Sequence, residues 1–284
     1  MPEVEGLRGF LAGRLPGRTL ARVELVAFAV LKTFSPPLDS LLGLEVDRVD
    51  RFGKFVSIDA QGVQLVFHLA RAGWLRWYDV LPAARPRPGK QGIALRVGLD
   101  DGSGFDLTEA GTQRNLAVYV TTSPADVPGI AALGPDPLDP HFTHDAFDAI
   151  IAAAGRAQLK GVLRDQSRIA GIGNAYSDEI LHAARLSPFT PASSLDASGR
   201  AALLDTLRRT LSDAITASHG RPPAELKDAK RAGMRVHGRA GDACDVCGTT
   251  IASVSFADSS LQYCPGCQTG GKPLADRRLS KLLK

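Results

Sequence analysis

Four cysteines are the residues whose spacing most clearly indicates chemistry. Cys244 and Cys247 form one pair and Cys264 and Cys267 a second, with two residues inside each pair and sixteen between the pairs. Two such turns can offer four sulfurs to one ion, and a closed set of four thiolates is typical of structural zinc. We therefore predict one structural Zn²⁺ ion. Two disulfides, or iron in place of zinc, are the alternatives that the spacing leaves open.

A hairpin is expected between the two pairs, because residues 253–256 and 261–263 have the composition of short strands. Four protein ligands leave no open coordination position, so the metal would fold the hairpin and take no part in a reaction. Many unrelated proteins carry such a zinc hairpin, and by itself it does not indicate a function.

A glycine-rich turn near the middle of the chain is the second candidate site. Gly171 and Gly173 predict a tight turn between two helices, with Asn174 as the cap of a second helix that runs to about Arg185. Backbone amides at a helix start, approached closely because of the glycines, could seat a phosphate, and Lys160 on the preceding helix could flank it. An ordinary helical hairpin is the alternative interpretation.

Length and composition indicate a folded protein. A chain of 284 residues suits two modest domains, or one domain with a small module, and an apolar content of 44% is too high for a disordered chain. Nothing in the sequence approaches the run of roughly 18 to 20 apolar residues that spans a membrane, and the start does not resemble a signal peptide. We expect a soluble, cytoplasmic protein of the bacterial type, associated with the nucleoid.

The basic charge is concentrated near the end of the chain. Residues 221–284 hold eleven Lys and Arg against six Asp and Glu, a net charge of +5, whereas the whole chain carries +4. A local basic excess favours a polyanion as partner, although a solvated tail would have the same composition.

Together these features resemble the formamidopyrimidine-DNA glycosylase/endonuclease VIII family. Residues 159–185 are similar to its helix–two-turn–helix motif, and residues 236–241 are similar to the approach to its zinc finger. Further similarities lie at residues 2–5, at residues 51–54, and at His68 and Leu69. The resemblance covers nearly the whole chain, in the family's order.

The resemblance implies an α+β fold with three parts. These are an N-terminal β-sandwich with a leading helix (residues 1–125), a helix–two-turn–helix domain (126–222), and a zinc-bound β-hairpin with a basic tail (223–284). The sequence supports the first part independently, through an apolar helical stripe at Val4, Leu7, Leu11 and Leu15 followed by seven strand-like runs. Those runs are residues 20–26, 44–60, 63–70, 74–80, 94–99, 105–109 and 116–121.

The resemblance also implies catalytic residues. Pro2, once Met1 is removed, would be a secondary-amine nucleophile that attacks the sugar C1′ and forms a Schiff base. Glu3 would be the neighbouring acid–base group. Lys54, near the tip of a predicted hairpin, would contact the phosphates of the lesion and assist the reaction.

DNA contacts are implied at three further positions. Lys160 and Asn174 would grip the phosphates that flank a flipped nucleotide, and Arg71 would fill the gap that the nucleotide leaves in the stack. Relatives often have an apolar wedge at the position of Arg71, so this arginine favours the endonuclease VIII type. No lesion preference follows from the sequence itself.

The expected function is therefore base-excision repair. The chain would be a monomeric DNA glycosylase with apurinic/apyrimidinic lyase activity on double-stranded DNA that contains a damaged base or an abasic site. A catalytically impaired protein that binds the same DNA is the alternative. A zinc-ribbon protein that binds structured RNA is a third interpretation.

Three departures from the family bear on these expectations. The family usually begins Met-Pro-Glu-Leu-Pro-Glu-Val-Glu, so either this chain has lost a linker or Pro2 and Glu3 match the second Pro-Glu. Ser259 stands where relatives have an arginine at the hairpin tip, and Arg277 or Arg278 could replace that phosphate contact. The tail over residues 270–284 is basic and would extend the DNA footprint.

Overall fold

A computed structural model of the chain describes residues 1–87, 89, 92–111, 114–256 and 259–275. The described residues divide into two compact units. One, here called the sandwich unit, comprises residues 2–133 and 218–227, and the other, the helical unit, comprises Met1 and the residues from 134 to 217 and from 228 onward. Arg277, Arg278 and the rest of the tail to Lys284 lie outside the described residues.

The sandwich unit begins with helix α1 and continues with eight strands. Helix α1 spans Pro2–Ala12, and the strands are β1 (Leu20–Leu25), β2 (Val46–Phe52), β3 (Phe55–Ala60), β4 (Val63–His68), β5 (Gly73–Tyr78), β6 (Ile93–Leu99), β7 (Gly104–Glu109) and β8 (Ala117–Thr121). The predicted run 44–60 is thus two strands with a turn at Gly53 and Lys54. The predicted helical stripe continues past the helix, because Leu15 is fully buried although α1 ends at Ala12.

Within the described residues, this unit has two four-stranded antiparallel sheets. Their strand orders are β1-β6-β7-β5 and β2-β3-β4-β8. Aliphatic and aromatic side chains of both sheets, with Leu7 and Leu11 of α1, form one continuous core. The predicted β-sandwich with a leading helix is confirmed.

The helical unit contains the zinc hairpin and the remaining long helices, except for the start of the last long helix at residues 223–227. After the short helix α2 (Pro128–Ala131) of the sandwich unit, the chain forms α3 (His144–Ala154), α4 (Leu159–Arg164), α5 (Asn174–Ala183), α6 (Ala197–Ser218) and α7 (Pro223–Gly233), then β9 (Ala252–Ser255), β10 (Ser260–Tyr263) and the short α8 (Pro265–Gln268). Leu203, Leu204, Leu207 and Leu211 recur at three- and four-residue spacing along α6 and are buried in its core. Strands β9 and β10 pair as an antiparallel hairpin.

No helix among the described residues is both long and apolar enough to cross a membrane.

A buried ion pair joins two strands of the β1-β6-β7-β5 sheet in the sandwich unit. Arg96 on β6 and Asp106 on β7 face each other across the sheet, with Nε–Oδ1 at 2.7 Å and Nη2–Oδ2 at 2.9 Å. Tyr78 donates its hydroxyl to the same carboxylate, while Arg96 donates to the carbonyls of Pro82 and Ala84. Both charged groups are almost fully buried, and the pair holds the chain after β5 against the sheet.

Asp106→Asn should destabilise the sandwich unit by about 3 to 5 kcal/mol, because it leaves a buried guanidinium without its counter-charge. Asp50→Asn is the matched control, since Asp50 pairs with Arg48 in an exposed position and should change stability by less than about 1 kcal/mol. Denaturant unfolding of both variants tests this, and equal stabilities would contradict it.

Candidate metal centre and nucleic-acid interface

The four cysteine sulfurs lie together at the base of the β9–β10 hairpin. The Sγ–Sγ distances are 3.9 Å for Cys244–Cys267, 3.3 Å for Cys247–Cys264 and 3.4 Å for Cys247–Cys267. A tetrahedral zinc ion with Zn–S bonds of about 2.3 Å places its sulfurs about 3.8 Å apart. Disulfide bonds would need about 2.05 Å, and all four cysteines are free. The arrangement fits one structural zinc ion and excludes two disulfides.

A glycine allows the two cysteine turns to close on each other. A Cβ atom at Gly266 would lie 2.5 Å from Thr249 Oγ1 and 2.9 Å from Cys247 Sγ, closer than real Cβ atoms approach. Any side chain at this position would therefore push the first turn away from the second. The sulfur of Cys264 also accepts the backbone N–H of Cys267 at the start of α8.

The glycine turn before α5 differs from the prediction by one residue. Gly173 is the N-cap, and Asn174, predicted as the cap, is the first helical residue without a capping bond. Asn174 Nδ2 instead donates to the carbonyl of Ser260 on β10 at 2.7 Å. Its Oδ1 atom is buried and has no hydrogen-bond partner among the described residues. The asparagine thus links the helix start to the zinc hairpin.

Two features of the structure favour glycine at position 171. Its φ of +88° lies in the left-handed region that side chains rarely adopt. A Cβ atom there would also overlap the side chain of Met1, which is 4% exposed and packs in the core of the helical unit. Met1, which the sequence predicts to be removed, is therefore a core residue of this structure.

The structure gives Lys160 partners that the sequence did not predict. Its Nζ lies 2.5 Å from Asp178 Oδ1, 2.9 Å from Ser177 Oγ and 3.3 Å from the carbonyl of Asn174. Three acceptors match the three donors of an ammonium group, and the side chain is buried. Burial lowers the pKa of Lys160, and the charge of Asp178 opposes this shift. In this structure Lys160 ties α4 to α5.

Asp178 is the fully buried centre of this network. Its Oδ2 atom lies 2.8 Å from His237 Nδ1 and accepts the N–H of Gln262 on β10 at 3.3 Å. One carboxylate therefore joins α4, the segment that leads to the first cysteine, and the hairpin. Sequence reasoning missed this role, although Asp178 and His237 both lie in segments that carry the family resemblance.

Glu179, the next residue, holds the same segment through its backbone. Its carboxylate accepts the N–H groups of Arg235, Val236 and His237 at 2.9, 3.0 and 2.8 Å. Three amide donors stabilise a buried carboxylate without a salt bridge. The approach to the zinc centre is thereby fixed to α5.

The other predicted site residues belong to the sandwich unit. Pro2 is buried as the first residue of α1, and Glu3 beside it is partly exposed. Lys54 lies in the turn between β2 and β3, as predicted, and Arg71 is exposed in the turn between β4 and β5. Nothing observed in this unit tests the roles predicted for these four residues.

An ion pair that the sequence did not predict holds the Lys54 turn in place. Arg51 Nε lies 2.7 Å from Glu5 Oε2, and Arg51 Nη1 donates to the carbonyl of Gly53 at 2.9 Å. The start of α1 and the β2–β3 turn are therefore held together. Glu5 and Arg51 both occur in the segments that resemble the family, but their pairing connects residues 46 positions apart.

His68 is held neutral beside this turn. Its ring packs on Phe55 with centroids 4.7 Å apart, and Nδ1 accepts the N–H of Ala70. Burial, and next the positive charge of Lys54, lower the pKa of His68 from 6.5 to about 4. The imidazole is therefore an uncharged group next to a lysine at neutral pH.

Lys160→Met should destabilise the helical unit by about 3 kcal/mol or more, because Asp178 would then be buried without its lysine. The salt dependence of DNA binding should keep its slope, since no phosphate contact is lost. Arg156→Met removes an exposed positive charge nearby in sequence and is the control for stability. A smaller salt slope for Lys160→Met, with unchanged stability, would support the predicted phosphate contact instead.

The stability of the sandwich unit should fall as the pH drops from about 6.5 to about 4. In that range the unfolded chain binds a proton at His68 whereas the folded chain does not. Replacement of His68 by Gln should flatten this pH dependence, and Lys54→Met should raise the pKa of His68 in an NMR titration. A His68 pKa near 6.5 in the folded protein would refute the expectation.

Comparison with known proteins places these features in one family. Three family models match successive segments: the formamidopyrimidine-DNA glycosylase N-terminal domain at residues 1–114, the formamidopyrimidine-DNA glycosylase H2TH domain at residues 133–222, and the zinc finger found in FPG and IleRS at residues 241–270. The zinc-finger match agrees with the geometry of the four sulfurs.

Individual proteins give the same result. A formamidopyrimidine-DNA glycosylase of Heliobacterium modesticaldum is 34% identical over 94% of this chain and 99% of its own length. An uncharacterized formamidopyrimidine-DNA glycosylase-like protein of Mycobacterium tuberculosis is 53% identical over 160 residues, 56% of this chain and 99% of that protein. The crystal structure of the MutM (Fpg) protein from Thermus thermophilus has a TM-score of 0.79 at 29% identity, covering 96% of this chain and 99% of the other. The chain belongs to the formamidopyrimidine-DNA glycosylase family.

Proposed function

We propose that this protein is a base-excision-repair glycosylase that binds damaged double-stranded DNA. The observation that carries the proposal is that one helix, α5, organises both nucleic-acid-binding elements of the family. Its first residue, Asn174, binds the zinc hairpin, and its carboxylates Asp178 and Glu179 hold the segment that leads to the zinc centre. Such an arrangement keeps the amide-rich start of α5 and the hairpin in a fixed relation within the helical unit.

Each of the two units offers residues that could contact DNA. The backbone N–H groups at the start of α5, which begins at Asn174, could donate to a phosphate. Lys54 and Arg71 supply positive charge from turns of the sandwich unit, and Arg71 is the residue that would fill the gap left by an extruded nucleotide. Lys160 acts as a positioning residue, because Asp178 already binds its ammonium group.

The covalent chemistry proposed here, formation of a Schiff base with the sugar, requires a free amine at Pro2. An α-amino group titrates near pH 8, so a useful fraction is unprotonated at neutral pH. The Pro2 nitrogen would attack C1′ of the damaged nucleotide as the base leaves. Breakage of the C1′–O4′ bond, with protonation of the ring oxygen by Glu3, would then open the sugar and give an iminium ion. Glu3 would then transfer protons during elimination of the strand phosphate.

A second candidate function is damage recognition without strand cleavage. The burial of Pro2 at the start of α1 favours it, because the nitrogen that must react is shielded in this structure. Removal of Met1 would also expose part of the core of the helical unit to solvent. In this alternative the protein binds abasic or damaged DNA and forms no covalent intermediate.

Borohydride trapping on duplex DNA with one abasic site distinguishes the two functions. The glycosylase–lyase proposal predicts a covalent adduct whose protein part has lost Met1, as mass spectrometry of the trapped species would show. Glu3→Gln should reduce the yield by roughly 100-fold or more, the usual contribution of a general acid–base group. Glu45→Gln, an exposed glutamate of the same unit, is the control and should react normally.

Binding must be measured on the same preparation. Tight binding to abasic duplex without an adduct would establish the second function, and preference for structured RNA over abasic duplex would reject both. Parallel duplexes with an oxidised purine or an oxidised pyrimidine test the lesion class. Faster release of the pyrimidine would agree with the endonuclease VIII-like interpretation of Arg71.

A further inference from the structure

A fifth potential metal ligand lies beside the four cysteines. His182 on α5 is 3% exposed, and its Nε2 atom lies 3.4 Å from Cys244 Sγ. Its Nδ1 atom is buried and finds no hydrogen-bond partner among the described residues. The polar contact that the structure gives this ring is with the sulfur of Cys244.

The structure therefore contains two overlapping sets of ligands. The ligand atoms of His182, Cys244, Cys264 and Cys267 all lie within 4.8 Å of one another. Zn–S bonds of about 2.3 Å and Zn–N bonds of about 2.0 to 2.1 Å place a sulfur and a nitrogen about 3.6 Å apart in a tetrahedron, close to the observed 3.4 Å. Both four-sulfur and three-sulfur–one-nitrogen coordination are common for structural zinc.

Exposure separates the two candidates for the fourth position. Cys247 is the exposed member of the four cysteines, whereas Cys244 and Cys264 are buried. Its neighbour Val246 is also exposed, at 47%. Cys247 is thus the thiolate most accessible to competing chelators and to protons from solvent, while His182 is shielded within the helical unit.

We propose that His182 is a reserve zinc ligand that can take the place of Cys247. In the exchange the bond from zinc to Cys247 Sγ breaks and a bond from zinc to His182 Nε2 forms. The imidazole stays neutral with its proton on Nδ1, and the released thiolate takes a proton from water. Three sulfurs remain bound throughout, so the hairpin stays attached when its exposed ligand is lost.

The test compares Cys247, which His182 could replace, with Cys264, which belongs to both sets of ligands. Cys247→Ala should keep one zinc ion per chain, because His182 completes the site, whereas Cys264→Ala should lose zinc on dialysis, since Cys264 belongs to both sets. The double variant Cys247→Ala/His182→Phe should lose zinc as Cys264→Ala does. His182→Phe alone should retain its zinc, which also shows that the substituted helix folds.

Cobalt substitution provides a readout of the ligands themselves. Co²⁺ in the wild-type chain should give the spectrum of four sulfur ligands. In Cys247→Ala the sulfur-to-cobalt charge-transfer band should weaken by about a quarter and the d–d bands should shift to shorter wavelength, as one nitrogen replaces one sulfur.

Two results would overturn the proposal. One is loss of zinc from Cys247→Ala as complete as that from Cys264→Ala. The other is retention of zinc by Cys247→Ala that does not change when His182 is also replaced, because water would then be the fourth ligand. In either case His182 would only donate a hydrogen bond from Nε2 to the sulfur of Cys244.

Discussion

The helical unit depends on a single buried carboxylate, that of Asp178. A charge removed from water is costly unless it is paired and hydrogen-bonded, and Asp178 meets both conditions through Lys160, His237 and the N–H of Gln262. These partners come from three elements that are distant in sequence. Loss of any one leaves the others with an unsatisfied buried group, so α4, α5 and the hairpin keep their relative positions together.

Zinc complements this network at the other side of the hairpin. Two strands of four residues each are too short to be stable alone, and a hairpin of this size needs a covalent or metal constraint. The cysteine turns supply that constraint, while Asn174 and Asp178 attach the hairpin to α5. The site is thus built from one metal-stabilised element and one helix, and neither would have its observed geometry without the other.

Local patterns in the sequence predicted the elements but not their polar partners. The cysteine spacing, the apolar stripe of α1 and the strand-like runs each reflect a short-range requirement, and the structure contains all of them. The partner of Lys160 could not be predicted, because a lysine near a glycine turn can bind either a phosphate or a buried carboxylate. Its burial depends on the packing of α4 against α5.

Other polar contacts also depend on tertiary packing and could not be predicted from the sequence. Asp178 and His237 are 59 positions apart in the sequence. Arg96 and Asp106 face each other on neighbouring strands, and the sequence alone does not determine the register of that strand pair. Asn174 was predicted as a cap from its residue type alone, but the hydrogen bond to Ser260 uses its side chain in another direction. Resemblance to a family located these segments without indicating which side chains meet.

The way Glu179 holds the segment before the zinc centre has a consequence for sequence variation. Its carboxylate binds main-chain amides at three successive positions, so the side chains of Arg235 and Val236 take no part in that attachment. The exposed side chain of Arg235 can therefore vary in charge and size without releasing the segment, whereas Val236 is buried against Cys244, Ile251 and Cys264. Proline is the exception, because it has no amide hydrogen to donate.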